Sequence, residues 1–303
     1  MARSAIVTRG GLVRQERRAR WGFLTPLVAF LAALSIFPTV FALVMSFTDY
    51  KLGSTAAISF VGFDNYASML SSPRLLGTFG RTFAILVIAL PLQLVIGFLI
   101  AKVFYQIRDM PGSTALRTLY LLPVMLPEIV VGLLFGYMMN TRIGIIGWAM
   151  KSIGLPAPDF FGDPGVVLGS VILMIVWQWT PLAAVILYGG LLGVPGDVRE
   201  AAALDGAGPF RQVFSMEIPI LRKVIGLVVL LVGIQLVGTF AVVYVTTQGG
   251  PGSSSTVLSY EIYQQAFVFF NTGPASALAI LTLVAVIVLA QVLVRIVFKE
   301  EKR

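Results

Sequence analysis

Long apolar stretches separated by short polar connections dominate this 303-residue chain. A helix needs roughly 20 apolar residues to cross a bilayer, and several stretches reach that length. They cover residues 21–47, 82–101, 119–139, 166–192, 224–246 and 277–294. Because the bilayer core offers no water, the backbone there must satisfy its own hydrogen bonds, so each stretch is predicted to be a helix. The pattern predicts an all-α, polytopic membrane protein with six transmembrane helices.

The apolar pattern divides the chain into three parts. Residues 1–20 form a basic arm, residues 21–298 form one six-helix membrane domain, and residues 299–303 form a tail. The arm and the first stretch resemble a signal peptide, but that stretch is longer than the about 7–15 residues of an h-region. It is therefore expected to remain as the first span. Prolines inside the stretches are tolerated where neighbouring groups satisfy the freed carbonyls.

The distribution of positive charge predicts the topology. The arm, the tail and the connections after the second and fourth stretches carry 17 of the 22 Lys and Arg residues, and the other side carries five. The positive-inside rule makes the richer side cytoplasmic, so both termini are predicted to be cytoplasmic in a bacterial inner membrane. This topology also accounts for the net charge of +8. Nucleic acid is excluded as a partner because no basic surface interleaved with aromatic residues is present.

Composition narrows the chemistry. Only 12% of the residues are charged, and the chain has no cysteine and no histidine, which removes disulfides, the usual zinc ligands and the commonest general base. No phosphate-binding P-loop motif is present. The chain is expected to hold no cofactor and not to be an enzyme, so any ATP hydrolysis that powers it must occur in another chain.

One polar segment, "DVREAAALDGAGPFRQVFSMEIPILRK" at 197–223, separates the fourth and fifth stretches. Asp197 and Glu200 have the spacing of a helix capping box, and the alanines that follow favour a helix. Gly206 can end this helix, and Pro209 suits the first turn of a second one, which Pro219 is expected to interrupt. The alternative is a surface loop that only joins two spans.

This segment resembles the EAA loop of binding-protein-dependent ABC importer permeases. The matching residues are Glu200, Ala201, Ala202, Gly206 and the ending at 216–219, where Glu217 replaces a small polar residue. Four other stretches resemble the carbohydrate branch, the maltose- and glycerol-3-phosphate-type permeases. They are "FVGFDNY" (60–66), "WQWTPLAAVILYGGLLGVP" (177–195), "TTQGGPGSSST" (246–256) and "IYQQAFVFFNTGPASALA" (262–279).

The resemblance implies a type I ABC importer fold and a division of labour among subunits. A coupling helix within residues 195–223, hereafter the EAA segment, would dock on a cytoplasmic ATPase. Its expected contact or hinge residues are Glu200, Ala201, Ala202, Asp205 and Gly206. The implied partners are a second homologous permease in a heterodimer, two ATPase subunits that bind ATP and Mg, and an extracytoplasmic solute-binding protein or lipoprotein. Membrane lipid and a sugar substrate complete the set.

Polar and aromatic side chains within spans are candidates for the substrate pathway, because they are costly there unless they face protein or water. On the fifth span, Gln235 and Thr239 are four residues apart and are predicted to share a helical face with Val232. On the fourth span the candidates are Trp177, Gln178 and Trp179. The alternatives are hydrogen bonds between helices for the polar residues and interfacial packing for the tryptophans.

Two further sets are candidates for gating. Glu128 is an acidic residue inside the third stretch, where a gate, a helix break and a proton relay are all possible. Gly249, Gly250 and Pro251 form either a plain turn or, by the resemblance, an external gate or a surface for the binding protein.

The sequence thus predicts a sugar-importing permease subunit that forms half of the translocation pathway. A permease for a phosphorylated polyol is the first alternative, and it is disfavoured because no Lys or Arg lies in the middle of a span. An ion-coupled secondary transporter is the second.

Overall fold

A computed structural model describes residues 9–198, 200 and 206–298. The described residues are mainly α-helical, with short π-helical turns at Val213–Glu217 and Gln264–Val268. The helices are α1 Arg9–Met45, α2 Asp64–Ser71, α3 Pro73–Gln106, α4 Ser113–Tyr120, α5 Leu122–Met125, α6 Glu128–Met138, α7 Ile145–Ser152, α8 Val167–Leu192, α9 Pro209–Gln212, α10 Ile218–Ile220, α11 Arg222–Val237, α12 Ala241–Thr246, α13 Leu258–Tyr263 and α14 Thr272–Phe298. The all-α class is confirmed.

Five spans in the described part of the chain are long and apolar enough to cross a membrane. They are Leu24–Met45, Pro73–Gln106, Val167–Leu192, Arg222–Thr246 and Thr272–Val292, and they coincide with five of the six predicted stretches. α3 is longer at both ends than the predicted 82–101. α1 begins at Arg9, inside the segment predicted as a basic arm, whereas residues 1–8 and the tail 299–303 lie outside the described residues.

The third predicted stretch, 119–139, is not one helix. It is divided among the end of α4, the single turn α5 and the eleven-residue α6. Leu126 is extended, with ψ 134°, because a residue that precedes proline is pushed out of the helical region. Pro127 then forms the N-cap of α6. The prediction of a continuous third helix was therefore wrong, for a reason visible in the Leu126–Pro127 pair.

The fifth predicted stretch, residues 224–246, is also interrupted. α11 ends at Val237, Gly238 is its C-cap, and α12 starts at Ala241 after Phe240, whose φ and ψ are −133° and −59°. Both interruptions leave backbone N–H and C=O groups without helical partners at membrane depth. In a bilayer such groups must find partners inside the protein.

The core is the interface between α3 and α8. Ile85 and Ala89 of α3 and Met174 and Leu187 of α8 are almost completely buried. The helices approach closely at Gly97, where an added Cβ would lie 3.1 Å from the Ala183 Cβ and 3.2 Å from the Ala184 backbone nitrogen. Such close approach through small residues is typical of helix packing in membranes.

Two contacts supplement the packing between α3 and α8. The buried Gln93 side chain donates through Nε2 to the Ile175 carbonyl, at 3.1 Å. The Phe104 and Tyr188 rings meet edge to face, with centroids 6.2 Å apart. α3 and α8 therefore form the rigid centre of the molecule, whereas α1 packs along α14 and leaves side chains such as Phe37 largely exposed.

Gly97→Val tests the close approach of these helices. We expect a lower melting temperature in detergent, because the new side chain must push α3 away from the α8 backbone, and overpacking of this kind costs about 1–3 kcal/mol. Gly169→Val on α8 is the matched control, since no atom lies within 4 Å of a Cβ built there. Equal melting temperatures for the two variants would contradict the packing.

Candidate functional site

Glu128 lies where the two helix breaks meet. It occupies the first turn of α6, where an acidic side chain interacts favourably with the helix dipole. Its half-buried carboxylate lies near the Ala241 backbone N–H and the Trp179 indole N–H, both of which favour its charged form. Ala241 is the first residue of α12, so Glu128 faces one of the N–H groups that a helix N-terminus leaves unpaired. This geometry favours the helix-break interpretation of Glu128.

α6 and α12 are packed directly against each other beside this contact. An added Cβ at Gly132 would lie 2.3 Å from the Val245 Cγ1, so a larger residue could not occupy the position without moving α12. Glu128 and Gly132 lie four residues apart on α6. The Glu128 carboxylate lies near the start of α12, and the absence of a side chain at Gly132 lets α12 pack closely against α6.

Gln178 hydrogen-bonds to a backbone carbonyl at the other break, Leu126–Pro127. Its side chain, 1% exposed, donates through Nε2 to the Leu126 carbonyl at 3.0 Å. Leu126 is the residue that the following proline forces out of the helix. Within this chain Gln178 thus hydrogen-bonds to the backbone of a neighbouring segment.

The two candidate tryptophans have different surroundings. Trp177 is 41% exposed and meets the Phe135 ring of α6 edge to face, with centroids 5.3 Å apart. Trp179 is half-buried and lies near the Glu128 carboxylate. The Trp177 ring is therefore partly exposed on the surface of this chain, whereas Trp179 lies beside Glu128 at the helix break.

The candidates of the fifth span do not share one helical face. Val232 and Thr239 are buried, 1% and 4% exposed, whereas Gln235 is exposed. The predicted i, i+4 relation fails because α11 ends at Val237, so Thr239 lies in the break. Gln235 is the member of the set that a substrate or a partner subunit could contact.

Five aromatic side chains that sequence analysis did not single out gather after the break in the fifth span. This aromatic cluster comprises Phe240, Tyr244, Tyr260, Tyr263 and Phe267, in which neighbouring ring centroids lie 5.3 to 6.4 Å apart. A hydrogen bond with the Tyr244 hydroxyl raises the pKa of Tyr263 above its ordinary value. Tyr244 is 41% and Phe267 64% exposed, which leaves rings and hydroxyls accessible.

The glycine-rich loop packs against this cluster. Gly249 has φ +82°, and a Cβ there would lie 2.6 Å from the Thr256 Oγ1 and 3.0 Å from the Tyr260 ring. The Thr256 hydroxyl donates to the Gly249 carbonyl, and the Ser255 hydroxyl donates to the Gly250 carbonyl. Internal hydrogen bonds therefore close the loop that contains Pro251, and only glycine fits where it touches Tyr260.

Charged side chains join the same region to the start of α3. Arg81 donates to the Thr256 carbonyl at 2.8 Å. Arg74 contacts the fully buried Glu261 carboxylate at 3.1 Å, and Gln265 donates to the other oxygen of Glu261. The loop and α13 are thus fixed to the predicted extracytoplasmic end of α3.

At the opposite end, the EAA segment is described in part. Residues 196–198 and Glu200 are helical, and Glu200 is exposed, whereas Ala201, Ala202 and Asp205 lie outside the described residues. Gly206 has φ +69°, a conformation that favours glycine and suits the predicted end of the first helix. A second helix begins at Pro209, as predicted.

The prediction that Pro219 interrupts this second helix was wrong. The chain forms the π-helical turn Val213–Glu217, then α10 through Pro219, and bends at Leu221. A proline ring clashes with the carbonyl four residues earlier in an α-helix. The wider π turn directly before it accommodates the proline, so the break falls two residues later.

In comparison with known proteins, residues 66–302 match the model of the family described as binding-protein-dependent transport system inner membrane component. The chain belongs to this family. It is therefore a multi-pass permease component of an ABC transport system rather than an enzyme.

Two sequence relatives and one solved structure are similar to this chain. The sulfoquinovosyl glycerol transport system permease of Agrobacterium fabrum is 29% identical over 90% of this chain and 88% of its own. The trehalose/maltose transport system permease of Thermococcus litoralis is 29% identical over 75% of this chain and 76% of its own. A chain of the bacterial alginate ABC transporter, solved with an alginate pentasaccharide-bound periplasmic protein, matches with TM-score 0.78 and 17% identity over 95% of this chain and 96% of that chain.

The candidates fall into three groups in the permease. Glu128, Gln178 and Trp179 meet around the helix breaks, and the glycine loop meets the aromatic cluster. Gln235 and Trp177 are both exposed on this chain. Within the part of the chain that the structure describes, no group of acidic side chains is gathered as a metal site would require. Three aromatic residues that sequence analysis missed carried one signal, which is their helical spacing. Tyr260 lies just before the quoted "IYQQAFVFFNTGPASALA" stretch, and Tyr263 and Phe267 follow three and seven residues later, within it.

Glu128→Gln separates the helix-break role from a proton relay. We expect the glutamine to retain the melting temperature and most of the transport, because its amide oxygen can still face the N–H groups of Ala241 and Trp179. Glu128→Leu should lower stability by about 1–3 kcal/mol, since these half-buried N–H groups then face an apolar side chain. Thermal unfolding of the purified complex and uptake in vesicles measure both effects. Loss of uptake in Glu128→Gln with unchanged stability would instead support proton transfer.

Proposed function

We propose that this permease is one transmembrane subunit of an ATP-driven importer for a neutral sugar. The family match over residues 66–302 supports the transport class. The aromatic cluster supports the substrate class, because aromatic rings pack on the apolar faces of sugars while hydroxyl and amide groups hydrogen-bond to sugar hydroxyls. The two sequence relatives belong to transport systems for sugar-containing substrates, sulfoquinovosyl glycerol and trehalose or maltose.

The proposed orientation places both termini and the EAA segment in the cytoplasm of a bacterium. The charge count supports it, with 17 of the 22 Lys and Arg residues on that side. The aromatic cluster and the glycine-rich loop then face the extracytoplasmic side. There they would receive substrate from a separate solute-binding protein, of the type that the alginate transporter structure contains.

The proposed assembly contains a second, homologous permease and two ATPase subunits. Apolar side chains of α1 such as Phe30 and Phe37, 62% and 72% exposed, need lipid or a partner helix to cover them. Gln235 and Trp177 are exposed on this chain alone, as residues that line a pathway between two subunits would be. ATP and Mg would be bound by the ATPase subunits, which the EAA segment would contact through Glu200 and its neighbours.

The mechanism that follows is alternating access. ATP binding would close the ATPase dimer and displace the EAA segment, and the helices joined to it would open the pathway toward the aromatic cluster. The rings and hydroxyls would hold the sugar briefly, and hydrolysis would reset the helices. The helix breaks suit such a motion, because each break divides a span into shorter helices.

Reconstitution tests this function. Proteoliposomes that contain the chain with its partner permease and ATPase should accumulate a labelled sugar from a panel that includes trehalose and maltose, only with ATP and a binding protein. Liposomes that contain this chain alone should accumulate none under an imposed proton or sodium gradient. Accumulation by the chain alone would show a secondary transporter instead.

Glu200→Lys tests the docking of the EAA segment. We expect uptake to fall by about tenfold or more and the ATPase to dissociate, because a reversed charge in a docked interface costs several kcal/mol. Co-purification and uptake are the measurements. Asp109→Lys, the same change at an exposed position near the end of α3, is the matched control and should leave both unaffected. Normal uptake by Glu200→Lys would remove Glu200 from the interface.

Gln235→Ala tests the pathway. We expect the sugar concentration for half-maximal uptake to rise about fivefold, which corresponds to one lost hydrogen bond of about 1 kcal/mol, with assembly unchanged. Gln291→Ala, which removes an exposed amide from α14, should leave the concentration dependence unaltered. An identical dependence in the two variants would exclude Gln235 from the pathway.

A further inference from the structure

The part of the EAA segment from Gly206 onward meets the membrane helices through contacts of two kinds. At Leu221 the chain turns into α11, and an added Cβ at Gly190 of α8 would lie 2.7 Å from the Leu221 Cδ2. Four residues earlier, Glu217 forms an ion pair with Lys102 of α3, with 2.9 Å between Oε2 and Nζ. The first contact is a close-packed turning point, and the second is a charged cross-link.

Apolar packing between the segment and α3 is incomplete. A cavity of about 330 Å³ separates them, lined on one side by Phe98 and Leu99 of α3 and on the other by Phe210 and Phe214 of the segment. The cavity is open at the surface, since Phe210, Phe214 and Leu99 are 80%, 66% and 58% exposed. Direct apolar contact between the segment and α3 is therefore limited here.

The ion pair is suited to fix the orientation of the segment on α3. Glu217 is 5% exposed and the Lys102 side chain 26% exposed, so water screens the pair poorly. Separating the charges would leave a carboxylate buried without this cation, which is far more costly than breaking an exposed pair. The contact is thus expected to persist while the segment moves.

Lys102 is connected to the rigid centre of the permease. It lies near the end of α3, five residues beyond the Gly97 contact with α8. A displacement of Glu217 would therefore be delivered to α3 and α8 together, rather than absorbed by a loosely packed interface.

We propose that Lys102 and Glu217 are positioning residues for transport: their ion pair holds the EAA segment to α3, so that displacement of the segment by the ATPase moves α3 and α8. This inference rests on the proposed importer function. It adds to that function the specific connection through which the displacement reaches the membrane helices.

Charge-neutral and charge-exchanged variants of the assembled complex test the pair. Glu217→Gln and Lys102→Gln should each lower ATP-dependent uptake about tenfold, with the ATPase still bound and its basal hydrolysis retained, so that more ATP is consumed per sugar transported. The exchange variant, Lys102→Glu with Glu217→Lys, should recover a substantial part of the uptake. Asp109→Asn, which removes the exposed Arg108–Asp109 pair, is the control and should change neither quantity.

Spin labels provide a test in which the ion pair itself is intact. The chain has no cysteine, so labels at Gln106→Cys, at the end of α3, and Ser215→Cys, in the π turn, report one distance when the partner subunits are also free of reactive cysteines. We expect the distance distribution to be the same without nucleotide and with ATP and vanadate. In Glu217→Gln it should broaden.

The outcomes separate this inference from the importer function. If wild-type uptake depends on ATP but both single variants transport normally, or if the label distance changes with nucleotide in the intact pair, the positioning role is overturned. Failure of the exchange variant to recover uptake also counts against it. If no ATPase associates with wild-type chain and uptake does not depend on ATP, the importer function itself fails.

Discussion

In a bilayer, every backbone group that leaves a helix must find its hydrogen-bonding partner inside the protein. This chain leaves helical geometry twice at membrane depth, at Leu126–Pro127 and between Val237 and Ala241. Gln178 supplies a donor to the first break, and the Glu128 carboxylate lies near the first backbone N–H after the second. Polar side chains cost free energy in an unbroken span. Where the span is broken, they supply hydrogen-bonding groups to the freed backbone.

The breaks give the permease parts of different rigidity. α3 and α8 are long, packed closely at Gly97, and linked by the Gln93 hydrogen bond. α6 and α12 are short, and they are held to each other by Gly132 and to the bundle by Glu128. A transport protein needs both properties, since a rigid centre carries displacement and short segments change the shape of the pathway. Polar groups that line a break can also become accessible to substrate when the short helices move.

The two ends of the molecule are fixed by different chemistry. At the predicted extracytoplasmic end, Arg81 and the ion pair between Arg74 and the buried Glu261 hold the glycine-rich loop and the aromatic cluster against α3. At the other end, an open apolar cavity and the Lys102–Glu217 pair lie between the EAA segment and α3. Both charged contacts join α3 to parts of the chain far away in sequence, which makes α3 the helix common to both ends.

The sequence by itself determined the membrane class, five of the spans, the start of the second helix at Pro209 and the glycine turn at Gly206, because apolar length, proline and glycine act locally. It did not determine that 119–139 is broken, that Thr239 leaves the face of Gln235, or that the helix passes through Pro219. Nor did it bring Tyr260 and Tyr263 to Phe240, or Glu217 to Lys102. Those outcomes depend on which distant group satisfies a freed carbonyl or a buried charge, and only the packing of the helices decides that.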